Sequence, residues 1–362
     1  MTPIRILQIV PTVNNTSGIF KVIDNWHKYI DTSKVQFDYL YFSENPQTCQ
    51  KQRLIDRGSY CSYLPWKNPF QLVKGLKKIF SKNKYLAIHS HVLQLPVIIF
   101  PLAKIYGIKY IIQHAHSPVF GENTRKAFRN GLLIHSVWPL ISHRLACSLS
   151  TGTAFFRKNF TVINNGIEEK DFAYNPIIRT VKRQKLGLEN NFVVGHIGHF
   201  GPQKNHSFLI NIFEQIIRQN ATSKLVLVGN GPLEGKIKML AKQKKLQDKI
   251  IFLGARKDVA ELYQAFDCFV FPSLFEGLGI VAVEAQAAGL PCILADTLPQ
   301  EAFVCNYKKL PLGSAEKWAQ EILNFTRDFK RVDTSGQIRV AGFSAKEVAK
   351  QMQNFYLELG KE

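Results

Sequence analysis

The residues best placed to do chemistry lie between Phe271 and Gly289, where Glu276 and Glu284 are separated by seven residues, two of them glycines. The pattern predicts a strand ending at Pro272, a loop carrying Glu276, Gly277 and Gly279, and a helix from near Ile280 with Glu284 in its first turns. Glycines at a helix start leave amides free for an anion, and a diphosphate suits them. Two carboxylates beside a phosphate would repel it. The combination therefore makes sense for a phosphate that also carries hydroxyls, a sugar and a ribose, each able to donate to a carboxylate. The plain alternative is a helix cap with one exposed glutamate.

A second stretch, Val194 to His206, also follows an apolar run and precedes a helical pattern, Asn205–Gln219. Lys204 sits where the helix dipole disfavours a cation unless an anion is also present. It is a candidate phosphate ligand, the alternative being a solvated lysine in a turn. His196 fits a strand or core position, and His199 lies in the glycine-bearing loop near Lys204. His114 and His116, two apart after another apolar run, would share one face if a strand continued through them. The residues alone do not choose between these two.

Elements that could position such groups alternate along the whole chain. Short β-rich runs are expected at Ile4–Val10, Val35–Phe42, Leu86–Ser90, Tyr110–Gln113, Arg144–Cys147 and Thr161–Asn164. A clearer set follows at Phe192–Ile197, Lys224–Val228, Ile250–Leu253, Cys268–Pro272 and Cys292–Ala295, with helical patterns between. Alternation of this kind predicts α/β architecture with parallel sheets. The 362 residues exceed what one core usually serves. Two domains are expected, residues 1–170 and 188–340, with a helix at about 344–362 packing back on the first. Glu168 to Leu188, charged and without an apolar period, reads as the linker. Ligands of such sheets bind beyond the carboxyl ends of the strands, so the expected ligand position is the cleft between domains.

The formal net charge of +20 favours anionic partners without choosing among them. Lys67, Lys74, Lys77, Lys78, Lys82 and Lys84 interleave with Phe70, Val73, Leu76, Ile79 and Phe80 at helical spacing. This describes either a core-facing helix with a solvated lysine face or a membrane-surface helix. The six cysteines are scattered with no C-x-x-C pair, which reads as reduced thiols. The apolar N-terminal run is too short for a signal sequence, and Val92 to Ala103 is interrupted by two prolines and too short to span a bilayer, so the expected location is cytoplasmic.

Taken together, the motifs are similar to those of family 4 of the retaining, GT-B-fold glycosyltransferases, and more narrowly to bacterial enzymes of capsule and exopolysaccharide assembly. The resemblance rests on Ser17-Gly18-Ile19, His114 to Ser117, Ile163 to Gly166, Gly201 to Asn205, Gly229 to Pro232, Phe252 to Gly254, and the Glu276/Glu284 segment. It implies two Rossmann-like domains facing each other across a cleft. It also implies Glu276 on donor sugar hydroxyls, Glu284 on the ribose, Lys204 on the diphosphate, and the backbone of Gly277, Leu278, Gly279 and Ile280 on phosphate and sugar. Gly18 would approach the diphosphate, Gly254 and Arg256 would lie near the base, and one histidine of the His114/His116 pair would meet the reacting sugar. The family usually has an arginine where His199 stands, so leaving-group charge would fall to a protonated His199, to Arg256 or to another residue.

The implied reaction is transfer from a nucleotide-sugar, UDP-linked, to a glycan or polyprenyl-diphosphate-linked acceptor, with peripheral contact to anionic membrane at the inner face of the cell membrane. No D-x-D motif is present, no metal ligands are expected, and no cofactor is implied. The alternatives are a sugar-nucleotide epimerase of the same fold, which would turn over donor without acceptor, and a basic nucleic-acid-binding protein. The second is disfavoured because the basic residues are dispersed and no nucleic-acid module appears. A dinucleotide oxidoreductase is disfavoured by the lack of G-x-G-x-x-G after the first strand.

Overall fold

A computed structural model describes residues 2–65, 68–93, 95–121 and 124–361; Lys67 of the lysine cluster lies outside the described residues. The chain divides into two compact units. One comprises Met1–Ile167 with Ser344–Glu362, and the other Glu168–Phe343.

The first unit is built on seven strands, β1 (Ile4–Thr12), β2 (Val35–Ser43), β3 (Cys61–Tyr63), β4 (Ala87–Ser90), β5 (Tyr110–Ala115), β6 (His143–Ala146) and β7 (Thr161–Val162). They form one sheet in the order β3-β2-β1-β4-β5-β6-β7, with every pair parallel. Parallel pairing needs helical crossovers that cover both faces, which is why β1, β2 and β5 read as nearly unbroken apolar runs and are buried through their middles. The C-terminal helix, Ala345–Leu359, belongs to this unit. It buries Val348, Ala349, Met352 and Tyr356 and packs along the helix Gly18–Tyr29.

The basic amphipathic pattern forms the helix Pro69–Lys82, capped by the Asn68 side chain and burying Leu72, Leu76, Ile79 and Phe80. Lys74, Lys77, Lys78 and Lys82 are on its exposed side. Phe70 departs from the expected core stripe: at the first turn it is 88% exposed, beside the lysines rather than under them.

The second unit carries β8 (Val193–Ile197), β9 (Lys224–Val228), β10 (Ile250–Phe252), β11 (Cys268–Phe271), β12 (Cys292–Ala295) and β13 (Tyr307–Leu310), also all parallel, in the order β10-β9-β8-β11-β12-β13. This is the Rossmann strand order, which reverses direction between β8 and β11. The first unit has the same reversal between β1 and β4.

The segment read as a linker is instead structured. Glu169–Phe172 forms a short helix and Pro176–Leu186 a longer one, both in the second unit. The longer helix lies against the helix Val259–Ala265. Arg179 and Arg183 grip Asp267, and Lys182 reaches Asp258 and Glu261. Ion pairs hold it, so its sequence shows no sustained apolar stripe.

Candidate functional site

In the second unit the two chemistry-bearing stretches emerge side by side, because β8 and β11 are neighbours and the loops that leave their carboxyl ends meet. Leu274 N–H donates to the Gln203 carbonyl at 2.8 Å, tying one loop to the other. The loop after β8 is itself fixed against the turn after β9. Phe200 N–H donates to the Asn230 carbonyl, and Leu233 N–H to that of Phe200. Gly229, at φ +134°, is obligatory there, since a Cβ would stand 2.1 Å from the Gly198 carbonyl oxygen.

These constraints bring Lys204 Nζ to 2.6 Å from Glu276 Oε1, while Gln203 Nε2 donates to Glu276 Oε2 at 2.8 Å. Glu276 is 6% exposed. The Lys204 ammonium also sits 4.7 Å from the centroid of the Phe271 ring. A buried carboxylate held by a cation and an amide is charge-compensated and well positioned. Its lysine partner can be shared with a second anion.

Glu284 is buried on the helix Ile280–Ala287 and accepts from the Tyr263 hydroxyl at 3.1 Å. Burial, then the nearby carboxylate, pushes the Tyr263 phenol well above its ordinary range. Gly279 opens the helix at φ +82°, in the left-handed region where glycine is at ease. Leu278 is buried just before it and Ile280 begins the first turn. The Gly254 carbonyl accepts from Gly229 N–H at 2.8 Å. Arg256 forms two 2.8 Å bonds to Asp258, which with Lys182 hold that carboxyl far below the usual range. The Arg256 charge is thus already compensated. His199 is exposed, whereas His196 is buried in β8, donates from Nδ1 to the Val270 carbonyl at 2.8 Å, and is kept neutral by burial. His196 is a core residue, in line with its strand position.

In the first unit, Gly18 begins the helix Gly18–Tyr29 behind the Ser17 cap. The larger assembly there is a cluster of four histidines, two of which the sequence pattern singles out. His114 lies inside β5 and His116 just past its end, joined by His89 of β4 and by His91 one residue beyond that strand. All four share one side of the sheet, with ring centroids 4.3 Å apart for His89–His91 and for His114–His116. The Trp26 ring stacks within 5.9 Å of His89 and of His114. Burial keeps all four neutral, with His116 lowered to about 4.

Among the described residues, His89, His91 and His114 are the group whose nitrogens come close enough to consider for a metal, all within 4.8 Å of one another. Tetrahedral zinc would need ligand nitrogens about 3.3 Å apart, given Zn–N bonds of roughly 2.0–2.1 Å. His91 moreover uses both nitrogens in hydrogen bonds, to His116 and to Gln8. The rings stack rather than converge.

Residues 178–334 match the family described as glycosyl transferases group 1. The putative glycosyltransferase EpsF of Bacillus subtilis (strain 168) is 29% identical over 310 residues, which cover 82% of this chain and 80% of EpsF. The Escherichia coli UDP-Gal:alpha-D-GlcNAc-diphosphoundecaprenol alpha-1,3-galactosyltransferase is 29% identical over 249 residues, 64% of this chain and 63% of that one. The protein is a glycosyltransferase. Its fold is GT-B, two Rossmann-like units, as in Anabaena HepE crystallised with UDP and glucose: TM-score 0.82 at 21% identity, over 98% of this chain and all of HepE. Within this glycosyltransferase the Lys204–Glu276 pair falls in the group 1 segment, at the strand-order reversal where α/β sheets bind ligands. No described helix is long and apolar enough to cross a membrane.

Proposed function

We propose that this glycosyltransferase moves a sugar from a UDP-linked donor to a glycan or polyprenyl-diphosphate-linked saccharide, with retention of configuration and without a metal ion, in bacterial capsule or exopolysaccharide assembly. The observation that carries the reading is the Lys204–Glu276 contact of 2.6 Å at the carboxyl ends of β8 and β11. A cation for the diphosphate and a carboxylate for sugar hydroxyls stand together, as the bond between those two groups requires. The crystallised HepE complex holds UDP and glucose, and the Escherichia coli relative is named for a UDP-galactose donor and a diphosphoundecaprenol acceptor, which supports this donor and acceptor class.

In the proposed reaction the bond from the anomeric carbon to phosphate breaks, and the bond to the acceptor oxygen forms on the same face. The acceptor's proton passes to the departing phosphate. Lys204 and the amides from Gly277 to Ile280 stabilise the growing negative charge. Glu284 takes the ribose, and the Gly254–Arg256 segment lies by the base. Of the two histidines, we assign the contact with the reacting sugar to His116, which is part-exposed at the end of β5, whereas His114 is 1% exposed within it.

Turnover of UDP-hexoses with a short polyprenyl-diphosphate saccharide should persist in EDTA, because a lysine and backbone amides occupy the place a divalent ion would otherwise fill. Loss on chelation, restored by magnesium or manganese, overturns the mechanism. UDP-sugar conversion without any acceptor would favour an epimerase.

We also propose peripheral contact with anionic membrane at the cytoplasmic face through the helix Pro69–Lys82, where exposed Phe70 adjoins Lys74, Lys77 and Lys78. Each lysine near an anionic surface contributes about 1 kcal/mol. The protein should therefore sediment with phosphatidylglycerol vesicles at low salt, less with Lys74, Lys77 and Lys78 changed to Gln, and much less at high salt. Wild-type protein remaining in the supernatant at low salt would rule the contact out.

A further inference from the structure

Glu284, proposed to take the ribose, is braced by a side chain from another helix of the second unit. Tyr263, on the helix Val259–Ala265, is completely buried. Its ring stands edge-on to those of Phe172, Phe266 and Phe269, with centroids 5.8, 6.1 and 5.7 Å away. Boxed in this way, the ring delivers its hydroxyl to two oxygens of the helix Ile280–Ala287, the Val281 carbonyl at 2.9 Å and Glu284 Oε2 at 3.1 Å.

The direction of the proton follows from the groups that meet there. A carboxylate and a carbonyl only accept, so among these three oxygens the phenol is the donor. Burial and the adjoining carboxylate raise the phenol well above its ordinary range, and it stays a hydroxyl. One proton thus faces two acceptors, of which the charged one is the stronger. The Val281 carbonyl also lies within a helix, where the backbone N–H four residues on supplies a donor. Glu284, 3% exposed, has little water to turn to instead. The terminal torsion of a glutamate is soft, so the plane in which its oxygens lie is set by what donates to them.

We infer that Tyr263 is a positioning residue for the nucleotide: its hydroxyl holds Glu284 Oε2 so that the carboxylate meets the two ribose hydroxyls of the donor in a fixed orientation. This role rests on the proposed contact of Glu284 with the ribose. It gives the helix Val259–Ala265 a part in donor binding at both ends. The Gly254–Arg256 segment that leads into the helix is placed by the base, and Tyr263 further along it braces the ribose ligand. The amides proposed for the diphosphate and Glu284 share the next helix, so the ribose held there adjoins the diphosphate.

Tyr263→Phe in the full chain removes the hydroxyl and keeps the boxed ring. The probes are UDP and 2′,3′-dideoxy-UDP, which share base and diphosphate and differ only in the hydroxyls assigned to Glu284. By titration calorimetry the wild type should bind UDP about tenfold or more tightly than the dideoxy analogue. Tyr263→Phe should weaken UDP by about three- to tenfold, the worth of one net hydrogen bond, and leave the analogue within about twofold. Glu284→Gln should narrow the UDP preference further, and adding Tyr263→Phe to it should narrow it no more, because the hydroxyl acts through the carboxylate. With the UDP-sugar, Tyr263→Phe should raise donor KM by the same factor as the UDP Kd and keep kcat within about twofold, since a ribose contact is alike in ground and transition states. A wild-type UDP preference in Glu284→Gln would remove the ribose contact, and the role of Tyr263 with it. A narrowed preference in Glu284→Gln beside a wild-type preference in Tyr263→Phe would leave the ribose contact standing and overturn the positioning role, whether both ligands bind normally or both are weakened equally by a loosened core.

Discussion

Lys204→Ala is expected to lower kcat by about 10²–10³-fold, the usual cost of losing one preorganised charge donor to a leaving group, with a much smaller rise in donor KM. The asymmetry follows from where charge grows. A diphosphate ester is already anionic in the bound donor, so Lys204 contributes to ground-state binding, but the phosphate gains further charge only as its bond to the sugar breaks. Other groups cannot readily substitute. Arg256 is committed to Asp258 through two 2.8 Å bonds, and His199 lies exposed on the loop. The variant also leaves Glu276, 6% exposed, with Gln203 as its remaining side-chain partner in this pair of loops. Some loss of stability is therefore expected, and thermal denaturation has to accompany the kinetics. Lys204→Arg is the useful companion. It restores charge but not the compact ammonium that fits beside Phe271 and Glu276, so partial recovery of kcat is expected. Wild-type kcat in Lys204→Ala, with the protein folded, would remove Lys204 from the site.

How far the sequence carried this reading depends on the range of the forces involved. Lys204 and Glu276 were legible because each follows an apolar run and precedes a helical pattern, a local signal that marks the carboxyl end of a strand. Their mutual contact, across 72 positions of sequence, was not legible; it arises because β11 pairs with β8 and not with its chain neighbour β10. The strands β3 and β13 carry no legible sequence signal. One is three residues long, and the other, Tyr307–Leu310, places two lysines in four residues at the edge of the sheet, with no alternation to detect. The helix Pro176–Leu186 has no sustained apolar stripe and so reads as a linker, because Arg179, Lys182 and Arg183 attach it through charge. At the histidine cluster, His114 and His116 are half of the legible signal. A matching signal was available in His89 and His91, a second His-x-His after an apolar run, since β4 and β5 pair in parallel with His89 opposite Ile112. Nothing local could have added Tyr356, which lies 267 positions from His89 and reaches it only because the chain returns to the first unit.

Glu276→Gln is expected to reduce kcat by roughly 10- to 150-fold, corresponding to the ~1.5–3 kcal/mol typical of a hydrogen bond to a charged group, while the Kd for free UDP stays within about threefold. Free UDP is the informative ligand because it carries the base, ribose and diphosphate but lacks the sugar whose hydroxyls Glu276 is proposed to hold. The carboxylate offers only acceptors, and Lys204 and Gln203 donate to it from one side each. A glutamine in its place must turn an NH₂ group toward one of these donors, which loses one bond and sets two donors against each other. Sugar hydroxyls that had donated to a charged oxygen would meet a neutral one, and the sugar would lie less firmly in line for attack on the anomeric carbon. Lys204, released from its 2.6 Å partner, becomes freer to pair with the diphosphate, so UDP binding has no reason to weaken and could tighten slightly. Because the two side chains act through one contact, their effects should not add: Lys204→Ala/Glu276→Gln should fall short of the product of the single losses. Unaltered turnover in both single variants would place the reacting bond elsewhere. A UDP affinity that collapses in Glu276→Gln would make the residue a scaffold for the diphosphate loop rather than a sugar ligand.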